Sequence, residues 1–198
     1  MLFNKHNFAV AKFASKGTTR PELEGVFFKA DKTVATDSFQ LVEISTPKVK
    51  VEDFPAVQGK VIMRGFKPFI VSTKGLKDIK FPNNGAVQSL PILSNAGIKH
   101  IDENSVEFIT TDLEVSNSVS VRRIQGEFPE YESIIPTGDP VVEVIVNAQY
   151  LADMLQVLGA LDSGSHVKIK IYGKDKPLVI EAGKEQKGRG LLMPIKGN

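Results

Sequence analysis

The feature that most constrains the fold of this chain is an internal repeat of about 60 residues. Each repeat reads as a strand, a short helix and then several strands, and the pattern occurs three times in 198 residues. The helix of one such unit covers only one face of a sheet, so a single unit cannot close a hydrophobic core. Two units make one domain. The sequence therefore predicts an α+β fold with about one and a half domains.

The first unit is predicted to begin with an amphipathic helix. Apolar residues between Phe8 and Gly17 approximate a helical spacing, which places them on one face. Lys5, Lys12 and Lys16 are seven and four residues apart, so they stack on the opposite face. The helix is expected to present lysines to solvent.

The second helix is predicted over residues 66–79, with Pro68 tolerated in its first turn. Lys67, Lys74 and Lys77 fall on its polar face, as in the first helix.

The third helix is predicted after Asn147, a good N-cap residue, and its apolar stripe ends near Gly159. Its polar face carries Gln149, Asp153 and Gln156 but no cation. A basic surface formed by the three helices would therefore be uneven.

Runs of β-branched and aromatic residues, separated by Gly, Pro, Asn and Asp, predict the strands of all three units. These runs are residues 25–30, 33–45, 60–65, 87–93, 97–102, 105–112, 118–126, 141–146, 166–173, 177–183 and 188–195.

Charge and composition exclude several classes of protein. Twenty-five Lys and Arg against 23 Asp and Glu leave a net charge of +2, so a basic coat over the whole chain is absent. Basic surface must be local, and the segments 1–20 and 60–80 are strongly basic. No apolar run is long enough to span a membrane, and Lys5 and Lys12 interrupt the place where a signal peptide is apolar. We expect a cytoplasmic protein without a membrane partner.

The sequence contains few features that are typical of an enzyme. Without cysteine it has no thiolate nucleophile and no cysteine-ligated metal site, and its three histidines are scattered. It contains no phosphate-binding loop, no nucleophile elbow and no zinc-binding HExxH motif. We expect no catalytic residue, no metal and no cofactor.

Four segments carry a resemblance to a known family, and they occur in that family's order. They are residues 19–44, the Gly-x-Phe-Pro-x-Tyr segment within 122–136, the helix 146–158 and the strand 191–195. Together they resemble the bacterial DNA polymerase III beta subunit, the sliding clamp. The resemblance implies a DNA-clamp fold and a processivity factor that encircles duplex DNA and tethers a polymerase.

The resemblance also implies a domain organisation. A bacterial clamp has three domains of two units each, whereas this chain is similar to a complete domain over 1–136, with units 1–56 and 57–136, followed by a half domain over 137–198. A partner chain would complete that half. A ring of twelve units then implies four chains, with a dimer as the minimum species and a trimer as the alternative.

By the same resemblance, two sets of residues are expected to bind partners. The residues expected to contact double-stranded DNA are Lys5, Lys12, Lys16, Arg20, Lys67, Lys74 and Lys77. The residues expected to form the pocket for peptides of the DNA polymerase and the clamp loader are Thr36, Ser38, Phe39, Leu41, Pro129, Ile134, Leu191, Met193, Pro194 and Ile195.

Alternatives remain open for both sets. The lysine-rich helix faces could simply be solvated surface. Leu41, Ile134 and Leu191 could be plain core residues, while Phe128 and Tyr131 are expected to be structural. The family commonly has Gly-His-Arg where this chain has Ser38, Phe39 and Gln40. A degenerate clamp relative that binds only protein is the alternative function.

Overall fold

The computed structural model describes residues 2–48, 66–82 and 91–195. The chain divides into two compact parts, Met1–Tyr131 and Glu132–Asn198. From here on they are called unit 1, which contains the first two sequence repeats, and unit 2, which contains the third.

Unit 1 contains eight strands and two short α-helices among its described residues. In chain order these are β1 Leu2–Asn4, α1 Lys5–Ala9, β2 Gly25–Phe28, β3 Lys32–Thr36, β4 Leu41–Ser45, β5 Phe69–Ser72, α2 Thr73–Leu76, β6 Asn95–His100, β7 Ser105–Thr111 and β8 Ser116–Ile124. Single turns of 3₁₀ helix lie at Val10–Phe13, Pro21–Glu24 and Pro91–Ser94.

The eight strands form one antiparallel sheet in the order β1-β6-β7-β8-β5-β2-β3-β4. The strand before each helix pairs with a strand of the other repeat of unit 1. β1 pairs with β6, so that Phe3 lies opposite Ala96. β5 pairs with β2, so that Val71 lies opposite Val26. The two repeats thus complete each other's sheets by exchanging their first strands.

A single hydrophobic cluster lies beneath both helical segments of unit 1. Val10 and Ala14 from the first segment and Leu76 and Ile79 from the second belong to it. Phe28 is at its centre, and phenylalanine rings pack around it at centroid distances of 5.1 to 5.7 Å. Because both segments bury their apolar sides in the same core, their lysines are left at the surface.

The first helix is shorter than the sequence predicts. Asn4 caps α1 by accepting from the N–H groups of His6 and Asn7, and the α-helix ends at Ala9 before a 3₁₀ turn. The buried Asn7 donates to the carbonyl oxygens of Ile44 and Ser45 at 3.0 and 3.1 Å, which ties α1 to β4. Lys16 lies beyond the helical segment rather than on it.

The prediction of a helix over residues 66–79 is wrong for its first half. Phe69, Ile70 and Val71 are all buried and form strand β5, because aromatic and β-branched residues covered on both sides favour a central strand. Ser72 then caps a four-residue helix. Lys67 precedes the strand, so it does not share a helix face with Lys74.

Two of the predicted strands are not formed as predicted, and most of the other predicted strands are confirmed. Residues 141–146 form no strand, and Pro91–Ser94 is a 3₁₀ turn. The segments 60–65 and 83–90 lie outside the described residues. The three helices begin at residues 5, 73 and 148, so the repeats are 68 and 75 residues long, somewhat more than the sequence indicated.

Unit 2 contains α3 Ala148–Gly159, β9 Val167–Lys170, β10 Leu178–Ala182 and β11 Gly188–Leu192, after a 3₁₀ turn at Glu132–Ile134. Its antiparallel sheet has the order β11-β10-β9.

The third helix confirms its predicted cap and its packing face. The Asn147 side chain accepts from the N–H groups of Gln149 and Tyr150 at 2.9 and 3.1 Å. A Cβ at Gly190 would overlap the side chain of Met154, so glycine allows α3 to approach β11 closely. The sheet face beneath the helix carries the fully buried Ile180.

Candidate functional site

The residues expected to contact DNA are all solvent-exposed. Six of them lie on the two helical segments of unit 1 or in the residues that follow these segments, and Lys67 precedes β5. The full set is Lys5, Lys12, Lys16, Arg20, Lys67, Lys74 and Lys77. Lysine ammonium groups at such positions can attract phosphates across water without reading base edges, which is what sequence-independent binding requires.

Not every one of these cations is equally available. Arg20 forms an ion pair with Glu22, with Nε and Oε1 3.0 Å apart. A backbone hydrogen bond and then this arginine lower the pKa of the Glu22 carboxyl, so the pair stays ionised at neutral pH. Part of the positive field of Arg20 is therefore offset, and the lysines carry more of the expected interaction.

The turn between β3 and β4 presents one aromatic ring. Thr36 Oγ1 donates to the carbonyl oxygen of Gln40 at 2.7 Å. Asp37 Oδ1 accepts from the N–H groups of Phe39 and Gln40 at 2.9 and 3.0 Å, and these bonds help lower the pKa of its carboxyl. Ser38 has a φ of +78°. The Phe39 side chain is 98% exposed at the tip of this well-bonded turn.

A second turn with the same construction joins β7 to β8. Thr111 Oγ1 donates to Val115, Asp112 Oδ1 accepts from the N–H groups of Glu114 and Val115, and Leu113 has a φ of +80°. Sequence reasoning treated only the first turn as functional. The Thr-Asp pair at both places is the signal that could have identified them as equivalent parts of the two repeats.

The end of unit 1 is fixed by aromatic packing. The Phe128 ring stacks on Phe27 with centroids 4.9 Å apart, and Tyr131 meets Phe128 edge-on. Lys32 Nζ lies 5.6 Å from the centre of the Tyr131 ring. This packing agrees with a structural role for Phe128 and Tyr131. Pro129, which lies between them in the sequence, is half-buried.

In unit 2, the residues expected to bind peptide lie at the surface. Ile134 is exposed in the 3₁₀ turn, and Leu191 is 62% exposed although its neighbour Leu192 is buried. Met193 and Ile195 continue the exposed side, with the half-buried Pro194 between them. We call Leu191, Met193 and Ile195 the apolar strip. Ile134 and Leu191 are therefore not core residues, whereas Leu41 of unit 1 is half-buried.

The described residues contain no group of three or more His, Cys, Asp or Glu side chains that could bind a metal ion. Within the same ranges, no helix is both long and apolar enough to cross a bilayer.

Several solved structures that match this fold are bacterial sliding clamps. A DNA polymerase III beta chain from Streptococcus pneumoniae is 19% identical at a TM-score of 0.62, and the match covers 99% of this chain and 49% of that one. The DNA polymerase III subunit beta from Borrelia burgdorferi is 18% identical at a TM-score of 0.66, with 98% and 48% covered. A DNA polymerase sliding clamp from Pseudomonas aeruginosa is 16% identical at a TM-score of 0.62, with 100% and 52% covered.

No protein-family profile matches the chain, and no curated protein matches it. The structural matches nevertheless establish that the chain has the sliding-clamp fold, which confirms the fold expected from the sequence. The chain spans about half the length of these clamps.

Proposed function

We propose, from a fold shared with sliding clamps over nearly the whole chain, that several copies of this protein encircle duplex DNA and tether a polymerase to it. The proposal assigns the protein no chemistry of its own. The main support for the proposal is this fold, together with the exposed lysines on both helical segments of unit 1.

The charge distribution supports DNA binding of the sliding kind. The chain has a net charge of only +2, so its attraction to phosphates must come from local groups of lysines. Contacts through ions and water, without base readout, allow a protein to move along the duplex. We therefore expect weak, sequence-independent affinity that falls steeply as the salt concentration rises.

The exposed apolar groups support tethering. Short peptide motifs bind to surfaces where aliphatic and methionine side chains adapt to the ligand. Phe39 on the β3–β4 turn and the apolar strip of unit 2 are such surfaces. We propose that each of them contributes to binding the peptide tails of a polymerase and a clamp loader.

A charge-reversal experiment tests the DNA contact. Replacing Lys12, Lys16, Lys74 and Lys77 with Glu should abolish retention of the protein on duplex DNA at low salt, because each reversal turns attraction to phosphate into repulsion. Exposed charges away from packing usually change stability little, so the melting temperature should remain near that of the parent.

The matched control changes the same charge elsewhere. Lys174, Lys176, Lys184 and Lys187 are exposed lysines of unit 2, and reversing all four alters the net charge identically. We expect this variant to keep most of its DNA affinity. If the two quadruple variants lose affinity equally, binding depends on net charge alone, and if neither loses it, the assigned DNA surface is wrong. Absence of any binding by the parent at low salt would favour the protein-binding alternative.

A further inference from the structure

The two halves of unit 1 show how a repeat of this kind is completed. The strand that leads into each helix pairs with the first strand after the helix of the other half: β1 with β6, and β5 with β2. β5 also contacts the last strand of its own half, where Ile70 lies opposite Ile124 of β8. β5 therefore lies between β8, the last strand of its own half, and β2, the first strand of the other half, whereas β1 pairs with β6 alone among the described residues.

Unit 2 has a leading segment with only one of these two contacts. Ile145 is two residues before the cap Asn147, as Ile70 is two residues before the cap Ser72. The carbonyl oxygen of Ile145 accepts from the N–H of Ile195 at 2.7 Å, at the end of its own unit. This bond corresponds to the contact between Ile70 and Ile124.

The exposure of the leading segment alternates as in a strand. From residue 143 onwards the alternation is regular, because Val144 and Val146 are partly buried whereas Glu143 and Ile145 are exposed. Val142 is 37% exposed, which is less than the fully exposed Val141 before it. Backbone groups of successive strand residues point to opposite edges. Since Ile145 bonds towards Ile195, a strand here would direct the N–H groups of Val144 and Val146 to its other edge.

The complementary edge belongs to β9. β9 pairs with β10 on one side, and no strand among the described residues occupies its other side. Ile169 is directly opposite the fully buried Ile180, so it belongs to the core-facing side of the sheet, yet it is 47% exposed. Ile171 and Tyr172 beyond the strand are exposed as well. An apolar edge of this kind readily pairs with another strand.

We propose that two copies of this chain exchange these segments, so that residues 141–146 of each copy pair antiparallel with β9 of the other. The contact is reciprocal about a two-fold axis, because both the donated segment and the accepting edge are on unit 2. We choose a second copy of the chain as the partner because unit 1 already forms this type of strand pairing twice within one chain, between β1 and β6 and between β5 and β2.

The side chains favour one register. In unit 1 the core-facing Val71 and Phe69 of β5 lie opposite Val26 and Phe28 of β2. The equivalent arrangement aligns the core-facing valines and isoleucines of unit 2. It places Val142, Val144 and Val146 opposite Ile171, Ile169 and Val167 of the other copy.

The same register is favourable on the outer face of the sheet. Glu143 falls opposite Lys170, which already forms an ion pair with Glu181 at 2.7 Å within its own chain, so Glu143 would join this charged group as a second carboxylate. Ile145 falls opposite Lys168, and both side chains are exposed in the single chain. This arrangement is independent of DNA binding, so it can be correct even if the proposed function is not.

A cysteine pair tests the register in a chain that has no native cysteine. In the proposed ladder, Ile145 and Lys168 of the other copy form a pair without direct backbone hydrogen bonds, with Cα atoms about 4.5 Å apart, which suits a disulfide. The double variant Ile145→Cys, Lys168→Cys should form a dimer with twice the 21.7 kDa mass of the chain under mild oxidation. The control Ile145→Cys, Lys184→Cys moves the second cysteine to another exposed lysine and should remain mostly unlinked.

A proline variant tests the exchanged backbone. Val144→Pro removes an N–H directed to the other copy and should weaken dimerisation in sedimentation equilibrium more than tenfold, whereas Ile145→Pro removes one directed to its own chain and should change it less than threefold. Circular dichroism checks that both variants fold. A wild-type monomer at 100 µM, a disulfide within one chain, or equal linking in the two cysteine variants would overturn the proposal.

Discussion

The second half of unit 1 and the single half of unit 2 begin alike and end differently. In each, apolar β-branched residues lead into a capped helix, with Ile70 and Ile145 at equivalent positions. Ile70 is 3% exposed in a strand that pairs on both sides, whereas Ile145 is 50% exposed in a segment that forms no strand. A similar local sequence thus becomes a strand only where a neighbouring strand is present to pair with it.

The helices differ in charge as well. The two helical segments of unit 1 carry exposed lysines, while α3 carries Gln149 and Asp153, whose side chains hydrogen-bond to each other at 2.7 Å. If all three helices line a DNA-facing surface, unit 1 supplies most of its positive charge. This difference is why the charge-reversal variants are placed in unit 1.

The largest effects should come from the two cores. Phe28→Ala should lower the free energy of unfolding of unit 1 by about 3–5 kcal/mol, since it empties the centre of a closed phenylalanine cluster. Ile180→Ala in unit 2 should cost about 2–5 kcal/mol and also weaken self-association, because Ile180 is directly opposite Ile169 of the edge strand β9. Urea unfolding at two protein concentrations measures both.

The outcome sharpens the comparison between the units. We expect the unfolding midpoint of unit 2 to rise with protein concentration, because association stabilises it, and that of unit 1 to stay constant. If both midpoints are independent of concentration, unit 2 is stable without a partner, and its open edge has no role in stability.

Smaller effects should appear in peptide binding. Met193→Glu places a charge in the apolar strip and should weaken a labelled peptide from the tail of a bacterial replicative polymerase at least tenfold, which is about 1.4 kcal/mol. Phe39→Ala should weaken it less, because the ring is at the tip of its turn. Fluorescence anisotropy measures both affinities.

Each of these variants has a matched control. Val157→Glu introduces the same charge at an exposed apolar position of α3, and Leu113→Ala truncates an exposed side chain on the equivalent turn of unit 1. Neither should change the peptide affinity more than twofold. Equal losses in variant and control would move the binding site away from the residues proposed here.

Much of the fold could be predicted from sequence because the relevant signals are local. Asn147 and the apolar stripe after it specify α3, and alternating residues specify β7 and β8. The helix predicted over 66–79 failed because its apolar residues fit both a helical stripe and a buried strand, and only the neighbours β2 and β8 decide between them.

The candidate site was harder to predict than the fold. Leu191 and Leu192 are identical in type, and their opposite exposure follows from which face of β11 packs under α3. Arg20 was expected to contact DNA, but the adjacent Glu22 offsets its charge. The strand exchange that we propose could not be located by composition, because it depends on which strand edges are left open in the described fold.

The central claim is that unit 2 is completed by pairing, as the halves of unit 1 complete each other. Hydrogen exchange of the backbone amides, followed by mass spectrometry at several protein concentrations, tests it directly by comparing residues 69–72 with residues 141–147. We expect the first segment to be protected at every concentration and the second to become protected only as copies associate. Rapid exchange of residues 141–147 at the highest concentration, or equal protection of both segments in a dilute monomer, would contradict the claim.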